Sequence, residues 1–147
     1  MKKETSLKVY ALKKNETEFK NTQITSSESA ANFIRQFYSD DIEIFESFFL
    51  VLLNRANITT GYVKISTGGL AATLCDPILI AKYAVDTLSS SVILCHNHPS
   101  GNLQPSQADK NLTEKVKNTL ALFDCKVLDH IILTAKGYYS FMDEGLL

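Results

Sequence analysis

Ser91-Val92-Ile93-Leu94-Cys95-His96-Asn97-His98-Pro99, followed after a short loop by Ser106-Gln107-Ala108-Asp109, is the stretch on which the reading of this chain turns. Ser91 to Cys95 is a short apolar run, which with turn residues beyond it reads as a buried strand. The run ends at two imidazoles at i and i+2. Side chains of an extended segment alternate with period two, so His96 and His98 share a side. Pro99 and Gly101 stop the strand and turn the loop. Ser106 then opens a helix with an apolar face of Leu112, Val116, Leu120 and Phe123, and Asp109 stands in its first turn. Two imidazoles and a carboxylate where a strand ends and a helix begins offer three ligands of the kind a catalytic zinc uses, with a fourth position left for water. Spacing alone leaves a second reading open, in which the histidines are ordinary loop residues and Ser106 with Asp109 is a Ser-x-x-acid helix cap.

Working outward, Asp76 and Pro77 read as an N-cap and a proline at the first helical position, opening a helix with Ile80, Ala81, Ala84, Val85 and Leu88 on one face. Downstream, Lys126 to Thr134 reads as a strand, Gly137 as a turn and Tyr138 to Met142 as a last strand. Strand, helix and strand in this order on either side of His96 predict crossover units. Further upstream, Ile42 to Leu53 is apolar on both parities, as a strand buried on both faces would be. Glu46 lies inside that run, where a carboxylate is costly unless it is paired or functional. The alternative is that Asp40-x-x-Glu43 starts a short helix and Glu46 lies on its wet side. Asn54 to Asn57 is a turn, Ile58 to Ser66 a returning strand, and Gly68-Gly69 its break. Thr25 to Glu28 has capping-box spacing ahead of Ala30, Phe33, Ile34 and Phe37, an amphipathic helix. Residues 6–13 read as a strand or a solvated arm, followed by a polar turn from Asn15 to Asn21.

The 147 residues fit one domain with one core, and 45% hydrophobic with 21% charged residues is ordinary for a globular chain. A net charge of −1 gives no general attraction to phosphate backbones. The first twenty residues are locally basic, with Lys2, Lys3, Lys8, Lys13, Lys14 and Lys20 against Glu4, Glu16 and Glu18. Three cysteines without a C-x-x-C pair argue against a disulfide framework and for a reducing, cytoplasmic setting. No stretch approaches the 18 or so apolar residues of a membrane span. Cys75, Cys95 and Cys125 each stand in apolar context and read as small core residues, and His130 reads as a structural histidine of a strand.

A wider signature accompanies the opening stretch: His96-Asn97-His98-Pro99-Ser100-Gly101, Pro105-Ser106-Gln107-Ala108-Asp109, Leu128-Asp129-His130-Ile131-Ile132, and Tyr139-Ser140-Phe141 with Glu144-Gly145. In these residues the chain resembles the RadC family, whose domain belongs to the JAMM (MPN-positive) metalloprotease superfamily. The resemblance covers residues 24–147, leaving residues 1–23 as an N-terminal strand or arm. It implies an α/β fold, a three-layer mixed β-sheet with flanking helices (cytidine-deaminase-like). It further implies a zinc held by His96, His98 and Asp109, a water activated by Glu46, and a supporting hydroxyl from Ser106. The reaction implied is hydrolysis of a peptide or isopeptide bond in a peptide or protein substrate. If Asp109 is a ligand, Ser106 and backbone N–H groups, rather than a reciprocal capping box, are expected to manage that helix start. Cys95 is not expected to be a ligand.

Many RadC relatives carry an arginine soon after the proline that opens the helix before the metal strand. This chain has Ile78, so no contact of that arginine is carried over. Full-length relatives also carry an N-terminal helix-hairpin-helix-like segment that could touch DNA. The length of 147 residues leaves no space for it, so strong nucleic-acid binding by this domain alone is not expected. The alternatives to a zinc hydrolase are a DNA-repair-associated or mobile-element accessory domain with an incidental or structural metal site, and an inactive interaction scaffold, whose ligands are usually lost. A zinc nucleobase deaminase is excluded by the lack of His-x-Glu and of a Cys-x-x-Cys partner.

Overall fold

The computed structural model describes residues 6–68 and 75–147, so Gly69 and the first five residues lie outside the described part. Five strands form one sheet in the order β2-β1-β3-β4-β5. They are β1 (Ser47–Leu53), β2 (Thr59–Thr67), β3 (Ser91–Asn97), β4 (Lys126–Leu133) and β5 (Tyr138–Ser140). Three helices accompany them: α1 (Ser27–Arg35), α2 (Pro77–Asp86) and α3 (Gln107–Ala121). β1 is antiparallel to both β2 and β3, β3 is parallel to β4, and β5 returns antiparallel on β4. β2, α2 and β3 thus make a crossover over β1, and β3, α3 and β4 make a second between neighbours. The sheet is mixed, and helices flank it on both faces, as expected.

Period-two alternation divides the core. Val51, Leu53, Ile93, Cys95, Ile131 and Leu133 pack with Ile24, Ala30, Ala31, Phe33 and Ile34, forming the α1 layer. Phe48, Leu50, Leu52, Val92 and Leu94 pack instead with Ile80, Ala84, Val116 and Leu120 of α2 and α3. Every residue of β1 and of β3 is buried. Each large apolar side chain so covered contributes roughly 1.5–3 kcal/mol. The strand that carries His96 is therefore held at the centre of the core.

Several boundaries differ from the sequence reading. Residues 6–18 are an exposed arm with no strand, Leu7, Val9 and Tyr10 all lying in solvent, because among the described residues no strand pairs with their backbone. The α1 capping box is formed by Ser26 and Ser29, one residue later than expected, and the helix ends before Phe37. The long strand from Ile42 is not formed. Asp40–Glu43 makes a turn of 3-10 helix that leaves Asp40 and Glu43 in water, where a strand buried on both faces could not place them. Glu46 consequently precedes β1 instead of lying in it. Leu88 and Phe123 fall past the ends of α2 and α3 and are exposed rather than on their apolar faces. β5 stops at Ser140, although Phe141 just beyond it is fully buried.

Among the described residues no helix is long and apolar enough to cross a membrane. All three cysteines are unpaired.

Candidate metal centre

β3 ends at Asn97, but the chain keeps its register for one more residue, because the His98 N–H donates to the Leu133 carbonyl of β4 at 2.9 Å. Past that point the chain turns. Gly101 adopts φ +84, and its N–H donates to the His98 carbonyl at 3.0 Å. That left-handed conformation is inexpensive for glycine alone. The turn brings the Asn102 carbonyl within 2.6 Å of His98 Nδ1. A carbonyl can only accept, so Nδ1 carries the proton and Nε2 of a neutral His98 presents a lone pair.

His98 Nε2 lies 3.0 Å from His96 Nε2. Asp109, in the first turn of α3, sets one carboxylate oxygen 3.4 Å from His96 Nε2 and the other 3.5 Å from His98 Nε2. Zinc–ligand bonds of about 2.0–2.1 Å in a tetrahedron place neighbouring ligand atoms about 3.4 Å apart. The carboxylate contacts, one through each Asp109 oxygen, are close to that edge length and the contact between the two imidazole nitrogens is shorter, and nitrogen with carboxylate oxygen is the chemistry such a site takes. The residues present therefore fit the metal. The side chain of His96 is almost wholly buried, and those of His98 and Asp109 are 16% exposed, so solvent reaches the cluster through His98 and Asp109.

Electrostatics reinforce the grouping. Partial burial alone would raise the Asp109 carboxyl, but the adjacent His96 and His98 imidazoles, which donate to it in their protonated forms, and the Ser106 N–H hold it well below the usual carboxylate range. Burial pulls His98 down, and the Asp109 hydrogen bond and the Asn102 carbonyl outweigh it and raise the imidazole above its ordinary value.

Contrary to expectation, α3 does start with a reciprocal capping box. Ser106 Oγ accepts from the Asp109 N–H at 3.0 Å, and Asp109 Oδ2 accepts from the Ser106 N–H at 2.8 Å. An ionised carboxylate has about four lone-pair directions. One of them caps the helix and others still face the imidazoles, so capping and ligation do not compete. Ser106 Oγ accepts in the cap, so the cap does not consume the hydroxyl proton.

Glu46, just ahead of β1, joins the same cluster. Its carboxylate and the nitrogens of His96 and His98 all lie within 4.8 Å of one another. The backbone around it is fixed on both flanks. The Gly68 N–H donates to the Glu46 carbonyl at 2.7 Å. Asn97 secures the rest: its Nδ2 donates to the Ile42 and Phe45 carbonyls at 2.8 and 2.7 Å, and its Oδ1 accepts from the Ser47 N–H at 2.8 Å. Asn97 is wholly buried, and sequence reasoning passed over it. The available signal was its place between two histidines, where alternation turns it to the opposite face.

Two further polar residues adjoin the cluster. His130, fully buried on β4, lies 2.8 Å from His96 Nδ1 through its Nε2. Its Nδ1 is 2.6 Å from Thr113 Oγ1 of α3, and its ring stacks on Phe141 at 4.5 Å. It is not among the three converging donors. Cys95 points into the α1 layer, with its thiol 3.8 Å from the Tyr38 hydroxyl, and burial pushes that thiol well up. Ile78 lies exposed in the first turn of α2.

A family model described as RadC-like JAB domain matches residues 24–146. A UPF0758 protein of Flavobacterium johnsoniae is 41% identical over 124 residues, covering 84% of this chain and 53% of the relative. One from Porphyromonas gingivalis is 39% identical over 125 residues, covering 84% and 54%. The UPF0758 protein YfjY of Escherichia coli is 38% identical over 102 residues, covering 69% and 64%. The chain spans about half the length of the first two of these curated relatives.

Proposed function

The chain belongs to the RadC-like JAB domain family, and from that premise we propose that it is a zinc-dependent hydrolase of the JAMM type, cleaving a peptide or isopeptide bond in a peptide or protein substrate. The observation that carries this reading is the convergence of His96 Nε2, His98 Nε2 and an Asp109 carboxylate at 3.0–3.5 Å from one another. His96, His98 and Asp109 would hold the metal. Zinc in a three-ligand site supplies Lewis acidity and lowers the pKa of a bound water to about 7.

The remaining work falls to the chain itself. Glu46, within 4.8 Å of the histidine nitrogens, takes the proton of the attacking water and returns it to the leaving amine. Asn97 orients the segment that carries it. Ser106, whose cap bond uses a lone pair and not its proton, donates to the oxyanion forming on the scissile carbonyl.

Zinc titration of metal-free protein tests the assignment. About one zinc per chain is expected, lost in His98→Ala and Asp109→Ala and retained in Glu46→Gln, which loses peptide hydrolysis. Absence of zinc binding under reducing, chelator-free conditions, or full retention without Asp109, would overturn it.

A further inference from the structure

His130 and Thr113 lie behind the proposed ligands, and four contacts assign a direction to every proton between them. Thr113 Oγ1 lies 2.7 Å from the Asp109 carbonyl oxygen, which can only accept, so the threonine proton goes there. Thr113 Oγ1 must then accept at its 2.6 Å contact with His130 Nδ1, which puts the ring proton on Nδ1. A neutral imidazole protonated at Nδ1 has its lone pair at Nε2. The 2.8 Å contact between His130 Nε2 and His96 Nδ1 is therefore donated by His96. His96 Nε2 is left with a lone pair, aimed at the same point as His98 Nε2, 3.0 Å away.

We propose that Thr113 and His130 are positioning residues forming a one-directional hydrogen-bond relay, which starts at the Asp109 carbonyl and locks His96 in the tautomer that presents Nε2 to a cation. The inference rests on the zinc-site reading for its consequence but not for its existence. The relay begins and ends on proposed ligands, so it ties the first turn of α3 to β4 and β3. It also gives the fully buried His130 a polar partner at each ring nitrogen, Thr113 at Nδ1 and His96 at Nε2, while Phe141 stacks on the ring.

Two measurements decide it. In metal-free protein, nitrogen-15 imidazole shifts should show His96 and His130 both protonated at Nδ1. Thr113→Val, which keeps the shape and removes the hydroxyl, should bring an Nε2-protonated form of His96 into the population. Zinc affinity, read by competition with a chromophoric chelator, should fall roughly 10–100-fold in Thr113→Val and in His130→Gln, as for other outer partners of metal-ligating histidines. Thr113→Ser, which retains the hydroxyl, should restore it. Wild-type zinc affinity in Thr113→Val, failure of Thr113→Ser to recover it, or an Nε2-protonated His96 in the unsubstituted protein, would overturn the relay. Should the unsubstituted protein bind no zinc yet show the expected tautomers and their loss in Thr113→Val, the relay stands and the hydrolase reading falls.

Discussion

Replacing Asn97 by alanine separates the two halves of the proposed site. The side chain makes three hydrogen bonds of 2.7–2.8 Å, accepting from Ser47 N–H and donating to the Ile42 and Phe45 carbonyls. The Ser47 bond is buried, whereas both carbonyls are part-buried and can recover water. The lower end of the cost range therefore applies to them, and at about 1 kcal/mol per bond the loss is roughly 3 kcal/mol. For a domain of this size each kcal/mol moves the thermal midpoint by roughly 4 °C, so Asn97→Ala should melt about 12 °C below the parent protein. Its zinc stoichiometry should stay at about one per chain, because the Asn97 amide contacts the segment from Ile42 to Ser47 and not the converging nitrogens. Calorimetric melting beside elemental analysis reads both quantities. An unchanged midpoint would refute the accounting of Asn97 as the clamp of that segment. Loss of zinc with the midpoint unchanged would show that Asn97 acts on the histidines instead.

His98 makes the metal-free protein sensitive to pH. Burial lowers its pKa, but the Asp109 and Asn102 contacts prevail and raise it. The pair's stabilisation is thus fully present below the unfolded value of about 6.5 and is lost as pH rises through the raised folded value. Metal-free melting curves should show this, and Asp109→Asn should abolish it. Zinc needs the neutral ring, so zinc affinity should run the opposite way and weaken as pH falls through the same value. Gly101→Ala forces an L side chain into φ +84 and should cost about 1 kcal/mol, with weaker zinc binding because the turn that orients His98 is strained; equal stability would show that the loop relaxes freely. Cys95→Ser should leave zinc content unchanged, since the thiol faces the α1 layer; a drop would place Cys95 in the coordination set.

The converging donors were legible because the required chemistry is local. His96 and His98 follow from period two, and Asp109 from its place in a first helical turn. Glu46 was found for a partly mistaken reason. It drew notice as a carboxylate inside an apolar strand, whereas it precedes the strand, and the acids of Asp40–Glu43 mark the turn that puts it there. Thr113 was missed because it reads as polar on α3, where Leu112 and Phe123 were assigned to the apolar face. The buried stripe actually descends through Thr113, Val116 and Leu120, below Asp109 in the first turn. Asn97 and His130 depend on which segments the topology places beside them, and neither spacing nor hydropathy carries that information.

The division of the core into two layers has a consequence for how the site could change. Its last strand residues belong to different layers: His96 looks toward α2 and α3, and Asn97 reaches the segment packed with α1. On the proposed reading, the central sheet would be a partition wall between a chamber that sets cation affinity and one that sets the placement of a proton carrier. Repacking Phe33, Tyr38 or Ile42 would tune the second while leaving the first intact, and a library confined to either chamber could adjust one property of the centre without trading away the other.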